Sequence, residues 1–121
     1  MPWMVLFETA FKVEFEALPE AVQDELLAHA KLLEAMGPLL QRPFADTLKG
    51  SKHANMKELR FAAAGGVWRI AYAFDPKRRA ILLVAGDKSG QSERRYYRRL
   101  IEKADRRLDA HLTEMKSKGS R

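Results

Sequence analysis

The sequence predicts an α+β fold in the order β-α-α-β-β-β-α, and three observations predict it. Three short apolar runs, 57–63, 67–74 and 80–86, are separated by the turn signals Gly65-Gly66 and Asp75-Pro76. Glycine supplies positive φ and proline presets a turn, so the runs read as an antiparallel meander. Residues 9–36 show helical spacing twice, interrupted at Pro19 and closed by Gly37-Pro38. A third helical stripe begins after Gly90 and continues to Leu112.

The first element is WMVLF, residues 3–7, an unbroken apolar run of strand length. Thr9 then suits the N-cap of a short helix with Phe11, Phe15 and Leu18 at i, i+4 and i+7. Pro19 at the first helical position, followed by Glu20, opens a second helix. Its stripe is Val22, Leu26, Ala30, Leu33 and Met36. The two make a helical hairpin that must cover one face of the sheet. Residues 39–55 read as a loop, with a single turn at Asp46-Thr47-Leu48. A loop of that length is mobile or functional. It carries Arg42, Lys49, Lys52 and His53.

Period two sorts the strand faces. Trp68, Ile70, Tyr72 and Phe74 share an apolar face with Leu59 and Phe61 on the neighbouring strand. The reverse face holds Arg69, Ala71 and Ala73 beside Glu58, Arg60 and Ala62. Small residues around two fixed cations leave room for a ligand, so this face is expected to be open or only partly covered by the last helix. The run AILLVAG is apolar on both faces and reads as central. Ser92 suits the cap of the last helix, whose stripe is Tyr97, Leu100, Ile101, Ala104, Leu108 and Leu112. Arg94, Arg95, Arg98, Arg99, Arg106 and Arg107 form the opposite, solvated surface, and residues 116–121 read as a frayed polar tail.

A chain of 121 residues suits one domain, 1–121, with one modest core. It has no cysteine, which excludes disulfides, thiolate catalysis and cysteine-bound zinc. The N-terminus lacks the pattern of a signal peptide and no apolar run is long enough for a membrane span, so a cytoplasmic protein is expected. Charge is segregated: residues 1–35 hold two Lys/Arg against seven Asp/Glu, and the rest hold 20 against nine. That division points to a polyanionic partner, a nucleic acid or an acidic protein.

The three histidines lie far apart and no metal-ligand spacing is present, so no metal site is expected. No G-x-S-x-G elbow and no glycine-rich phosphate loop occur. The remaining candidates are Lys57, Arg60, Arg69, Lys88, Tyr96 and Tyr97. Cations on a sheet face can hold a phosphodiester and stabilise the charge that builds as it is cleaved. Lysine or tyrosine can transfer protons when neighbouring cations lower the pKa. The bland readings stand beside these. Strict alternation puts Lys57 on the Leu59/Phe61 side. Arg60 and Glu58 lie about 7 Å apart along one strand and pair poorly, leaving Asp105 as a further partner for Arg60. Tyr97 fits the core stripe of the helix.

At these residues the sequence resembles the RelE/ParE toxin superfamily, in its HigB-like, phage-derived branch. The resemblance rests on an ordered set: GPLLQRPFADTLKGS, KELR, VWRIAYAFDP, AILLVAGDKSG and YYRRLIEKAD. It implies a RelE-like microdomain and the toxin of a type II toxin–antitoxin pair. It implies a metal-independent ribonuclease, without cofactor, that cuts mRNA in the ribosomal A site by 2′-OH attack. It further implies catalytic roles for Lys57, Arg69, Lys88 and a tyrosine at 96 or 97, assigned here to Tyr97, with the other as an RNA contact. By charge and position, Arg60, Lys52, His53 and Arg94 join Tyr96 as candidate RNA contacts. The implied partners are a helix-turn-helix antitoxin, the ribosome and mRNA. A gyrase-inhibiting ParE-like relative, or a decayed phage protein that only binds an antitoxin, is the alternative from another functional class.

Overall fold

The structure, a computed structural model, describes residues 2–88 and 90–119. Its elements are β1 (Val5–Phe7), α1 (Thr9–Glu16), α2 (Glu20–Met36), β2 (Ala45–Thr47), β3 (Lys57–Ala63), β4 (Gly66–Phe74), β5 (Ala80–Asp87) and α3 (Glu93–Gly119). Five strands form one sheet in the order β1-β5-β4-β3-β2. The predicted meander is there, with Phe61 opposite Trp68, Arg60 opposite Arg69 and Leu59 opposite Ile70.

The two sheet faces build two cores. Leu59, Phe61, Ile70, Tyr72, Ala80 and Leu82 pack under Phe11 of α1 and Val22, Leu26 and Leu33 of α2, with Trp68 and Phe74 at the margin. On the reverse face, Ala71, Ala73, Ile81, Leu83 and Val84 pack under Tyr96, Leu100, Ile101, Ala104 and Leu108 of α3. The reverse face is therefore roofed by α3 rather than open. Its small side chains make room for a helix, not a ligand. A register shift places Ala71 opposite Val84 but Tyr72 opposite Leu82. The extra residue, Leu83, turns toward α3 together with Val84, which alternation alone would forbid.

Several local expectations shift. Glu8, not Thr9, caps α1, its carboxylate accepting the Phe11 N–H at 3.0 Å. Pro19 is the N-cap of α2 rather than its first helical residue. The tight loop between β3 and β4 is Ala64-Gly65, with φ of 51° and 78°, and Gly66 already belongs to β4. Two consecutive positive φ values define the turn whose twist matches a hairpin. Part of the expected 39–55 loop is β2, an edge strand pairing Ala45 with Leu59, so Asp46-Thr47 is extended and not a turn. β1 joins β5 in parallel through Val5 with Ala80 and Phe7 with Leu82. Ser92 caps α3 as expected, its Oγ accepting the Arg95 N–H at 3.3 Å. The expected frayed tail is helical through Gly119, with Lys118 reaching Glu114 one turn back. Residues 120 and 121 lie outside the described residues.

Arg107, expected on the solvated surface of α3, is instead a latch. Its guanidinium donates to both carboxylate oxygens of Glu14 and to the Leu83 carbonyl. It ties α1, β5 and α3 together around the β1 edge.

Tyr72 is fully buried and its hydroxyl has no hydrogen-bond partner. An unsatisfied buried hydroxyl carries its desolvation cost without return. Tyr72→Phe is expected to raise stability by about 1 kcal/mol, read as a higher urea midpoint with an unchanged slope. A lower midpoint would show that the hydroxyl is satisfied.

Candidate functional site

The site begins with an electrostatic conflict that the register imposes. Arg60 on β3 and Arg69 on β4 are direct cross-strand partners on the same face. Like charges placed opposite one another repel. Glu58 resolves this, because it points to that face two residues before Arg60. Its Oε1 lies 3.7 Å from the Nε of Arg60 and 3.7 Å from the Nε of Arg69. The carboxylate is buried, as is Arg69, while about 41 % of the Arg60 side chain remains exposed.

The first turns of α3 close over this pair of charges. The Arg69 guanidinium carbon stands 5.6 Å from the Tyr96 ring centre and 5.4 Å from that of Tyr97. Both distances suit a cation–π contact. Tyr96 reaches past Arg69 and donates to the Gly86 carbonyl at 2.8 Å. Gly86 is the β5 partner of Arg69, and a Cβ there would lie 3.1 Å from the Tyr96 hydroxyl. A glycine is needed because the ring fills the space of a side chain. Tyr97 donates to Glu58 Oε1 at 3.0 Å and accepts from Arg60 Nη2 at 3.3 Å. Arg69 keeps two buried N–H groups, Nε and Nη1, without a hydrogen-bond acceptor.

Burial is the largest influence on Glu58 and pushes its carboxyl up from the ordinary value, while the Tyr97 hydrogen bond and the two arginines pull it down. Burial likewise raises both tyrosine hydroxyls. Tyr97 is therefore a protonated donor, not a resting tyrosinate. Its bond to a carboxylate lets it pass one proton on while accepting another.

The predicted residues fall into three groups. Arg60, Arg69, Tyr96 and Tyr97 meet directly. Lys88 and Arg94 lie at the same end of the sheet. Lys88 follows Asp87, the β5 partner of Trp68, and Arg94 is exposed on the first turn of α3, three residues before Tyr97. Ala62 and Val67, exposed at the β3–β4 tip, leave the Arg60 and Tyr97 side of the cluster accessible. Lys57, Lys52 and His53 are elsewhere. Lys57 pairs with Tyr72 and shares the Leu59 face, opposite Arg69, where it lines a cleft with Arg42 and Asp46. Lys52 and His53 bind Asp109, and Ser51 binds Asp105, so this loop is pinned to α3 about 12–18 Å beyond Tyr97 by helical rise. Asp105 is thereby the partner of Ser51 and not of Arg60. Glu58 was missed as a site residue. Its signal lay in the diagonal cross-strand relation to Arg69, since Glu58 pairs with Ala71, two residues on.

Residues 13–109 match the family described as phage derived protein Gp49-like. Two Mycobacterium tuberculosis proteins bearing HigB toxin names are similar. HigB3 is 44% identical over 98 residues, covering 81% of this chain and 83% of its own length. HigB2 is 43% identical over 90 residues, covering 74% of this chain, but this chain spans only 44% of that protein. Among solved structures, a doubly substituted E. coli toxin RelE in the free state superposes with a TM-score of 0.60 at 13% identity, covering 85% of this chain and 97% of that one. A chain of the archaeal RelE–RelB complex of Pyrococcus horikoshii superposes at 0.53 with 21% identity, covering 74% of this chain and 99% of that one. These two likenesses establish the α+β fold, with its five-stranded sheet and long C-terminal helix.

The Glu58 environment has a pH consequence. An acid whose folded pKa is raised binds its proton more tightly in the folded than in the unfolded chain, so stability falls as pH climbs from the ordinary glutamate value through the raised one. Glu58→Gln, which keeps an acceptor for Tyr97, is expected to remove that falling limb from urea midpoints measured across acidic pH. An unchanged pH profile would show that Glu58 titrates normally.

Proposed function

The chain belongs to the phage-derived Gp49-like family, and from that membership we propose that it is the toxin of a type II toxin–antitoxin pair that cuts mRNA on the ribosome. The observation that carries the cleavage step is the Glu58–Tyr97–Arg60 chain at the accessible end of the α3 roof. In RNA cleavage by 2′-OH attack, a base takes the hydroxyl proton and cations stabilise the phosphorane. The Tyr97 oxygen accepts that proton as its own passes to Glu58. Arg60, half exposed, neutralises the phosphoryl oxygens. Lys88 is the donor to the departing 5′-oxygen, and Arg94 contacts the RNA backbone.

This reading revises the implied role of Arg69. A group covered by Glu58, Tyr96 and Tyr97 does not meet phosphate in this conformation. Arg69 is a positioning residue that holds Glu58 and both tyrosines. Lys57 takes no part, because it lies on the other face. The reading involves no cofactor. The natural partners are an antitoxin of the helix-turn-helix type, the ribosome and its mRNA, in the cytoplasm. Among the described residues no helix is long and apolar enough to cross a membrane.

The enclosure of Arg69 also favours a second reading. There the cluster only staples α3 to the sheet, and the chain acts by binding, as a gyrase inhibitor or as an antitoxin ligand without catalysis.

Cleavage of ribosome-bound mRNA by purified variants separates the two. Tyr97→Phe is expected to slow cleavage by about 10²–10⁴-fold and Arg60→Ala by about 10²–10³-fold, with both proteins folded by circular dichroism. Lys57→Ala is expected to cleave at the parent rate. Parent-like cleavage by Tyr97→Phe would remove the relay. Growth arrest by the parent without any new mRNA ends would favour the binding reading.

A further inference from the structure

The outward side of α2 lacks the charge that its position calls for. Val22, Leu26, Ala30 and Leu33 are the buried stripe of this helix. Opposite such a stripe an amphipathic helix ordinarily carries charged side chains. Here Ala21, Ala28 and Ala35 recur there every seven residues, all exposed. Leu32 and Met36 stand exposed beside them, and the patch runs on to Leu39 and Phe44. His29 links α2 to Phe44, with ring centres 6.0 Å apart, and it shares its side of the helix with Leu32 and Met36. A contiguous apolar surface rimmed by polar groups marks a protein–protein contact.

The charges on this side say what covers it. Asp24 and Lys31 stand seven residues apart, next to the alanines and exposed. Helical rise separates them by about 10 Å, too far to meet within one chain. Among the described residues neither has an ion pair. Opposite charges so spaced are self-complementary. When two copies of α2 lie antiparallel about a two-fold axis beside Ala28, Asp24 of each meets Lys31 of the partner subunit, which makes two pairs. The same axis sets Ala21 against Ala35 of the partner subunit. It also lays the bulky end of each patch, Leu32 and Met36, over the alanine-lined first turns of its mate. A parallel arrangement would instead bring Glu20, Asp24 and Glu25 of both copies together, and like charges repel.

We infer that the outward side of α2 is covered by a second copy of this chain, in an antiparallel two-fold contact with Ala28 at the axis and reciprocal Asp24–Lys31 pairs. Alanine at the crossing lets the helices approach to the short end of the usual interaxial range, about 8–10 Å. α2 has 17 residues and is about 26 Å long, so the contact belongs to the small, transient size class. It lies on the sheet face away from α3, which leaves Arg60 and Tyr97 uncovered in both copies. The inference goes beyond the ribonuclease reading and needs no cleavage, so the two fail separately.

The test is sedimentation equilibrium of the full chain between about 1 μM and 1 mM. The parent mass is expected to climb with concentration toward that of two chains and to stop there. Asp24→Lys and Lys31→Asp should each weaken self-association roughly tenfold or more, because each sets like charges against each other at both pairs. An equal mixture of the two variants should associate like the parent, since one supplies the cations and the other the carboxylates. That recovery also shows that both are folded. The chain has no cysteine, so an introduced one reports proximity. Oxidation of Ala28→Cys should join two copies, whereas Val13→Cys on the exposed side of α1 should not at the same concentration. A parent that is monomeric at 1 mM overturns the inference. So does a dimer that both charge variants keep, or equal cross-linking from the two cysteine variants. A mass that grows past two chains also overturns it, because a two-fold contact closes on itself.

Discussion

Two arginines stand directly opposite each other on neighbouring strands, and most of the α3 side of this molecule follows from that. Arg60 and Arg69 repel unless a carboxylate lies between them, and Glu58 is the one that alternation and register supply. A buried carboxylate and a buried guanidinium are costly to desolvate, and removing either partner strands the other at about 3–5 kcal/mol. The cover therefore has to be specific. Tyr96 and Tyr97 give Arg69 two aromatic faces, Tyr97 gives Glu58 a hydrogen bond, and Gly86 gives the Tyr96 ring its space. The same closure that satisfies the charges sets the height of α3 over the sheet.

The opposite face is independent of this. Its core of Leu59, Ile70, Tyr72 and Leu82 under α1 and α2 is apolar apart from the Tyr72 hydroxyl and demands little beyond volume and alternation. The faces meet at two polar ties. Arg107 joins α3 to α1 and β5. Asp75, buried in the β4–β5 turn, accepts from the Arg79 guanidinium and lies 3.0 Å from His111 of α3. Both ties use charges that read as surface in one dimension and become internal once a helix lies across a sheet.

That contrast explains what was legible. The meander, the helical hairpin, the stripe of α3 and the sorting of Trp68, Ile70, Tyr72 and Phe74 from Arg69 follow from period and turn chemistry, which are local. β2 was hidden because a three-residue edge strand has no period of its own, and it exists only by pairing with Leu59. The Leu83 bulge was hidden because AILLVAG is apolar on both faces. In the site, Arg60, Arg69 and the two tyrosines were legible as residue types on one face. Glu58 was not, because its partner lies diagonally across a strand pair. Alternation already set Lys57 on the Leu59 face, where the sheet keeps it, and only the resemblance drew it into the site. Lys52 and His53 were grouped with the site by charge, and the length of α3 keeps them apart from it.

The central claim is that the Glu58–Arg69 pair, roofed by Tyr97, holds α3 to the sheet and so positions the proposed Glu58–Tyr97–Arg60 relay for RNA cleavage. A double-mutant cycle on Glu58→Leu and Arg69→Met, read by urea unfolding and by cleavage of ribosome-bound mRNA, tests both parts in one set of proteins. The account predicts that each single replacement destabilises by about 3–5 kcal/mol, that the double replacement recovers most of this, and that the stable double variant does not cleave. Additive stability losses, or a double variant that cleaves like the parent, would contradict it.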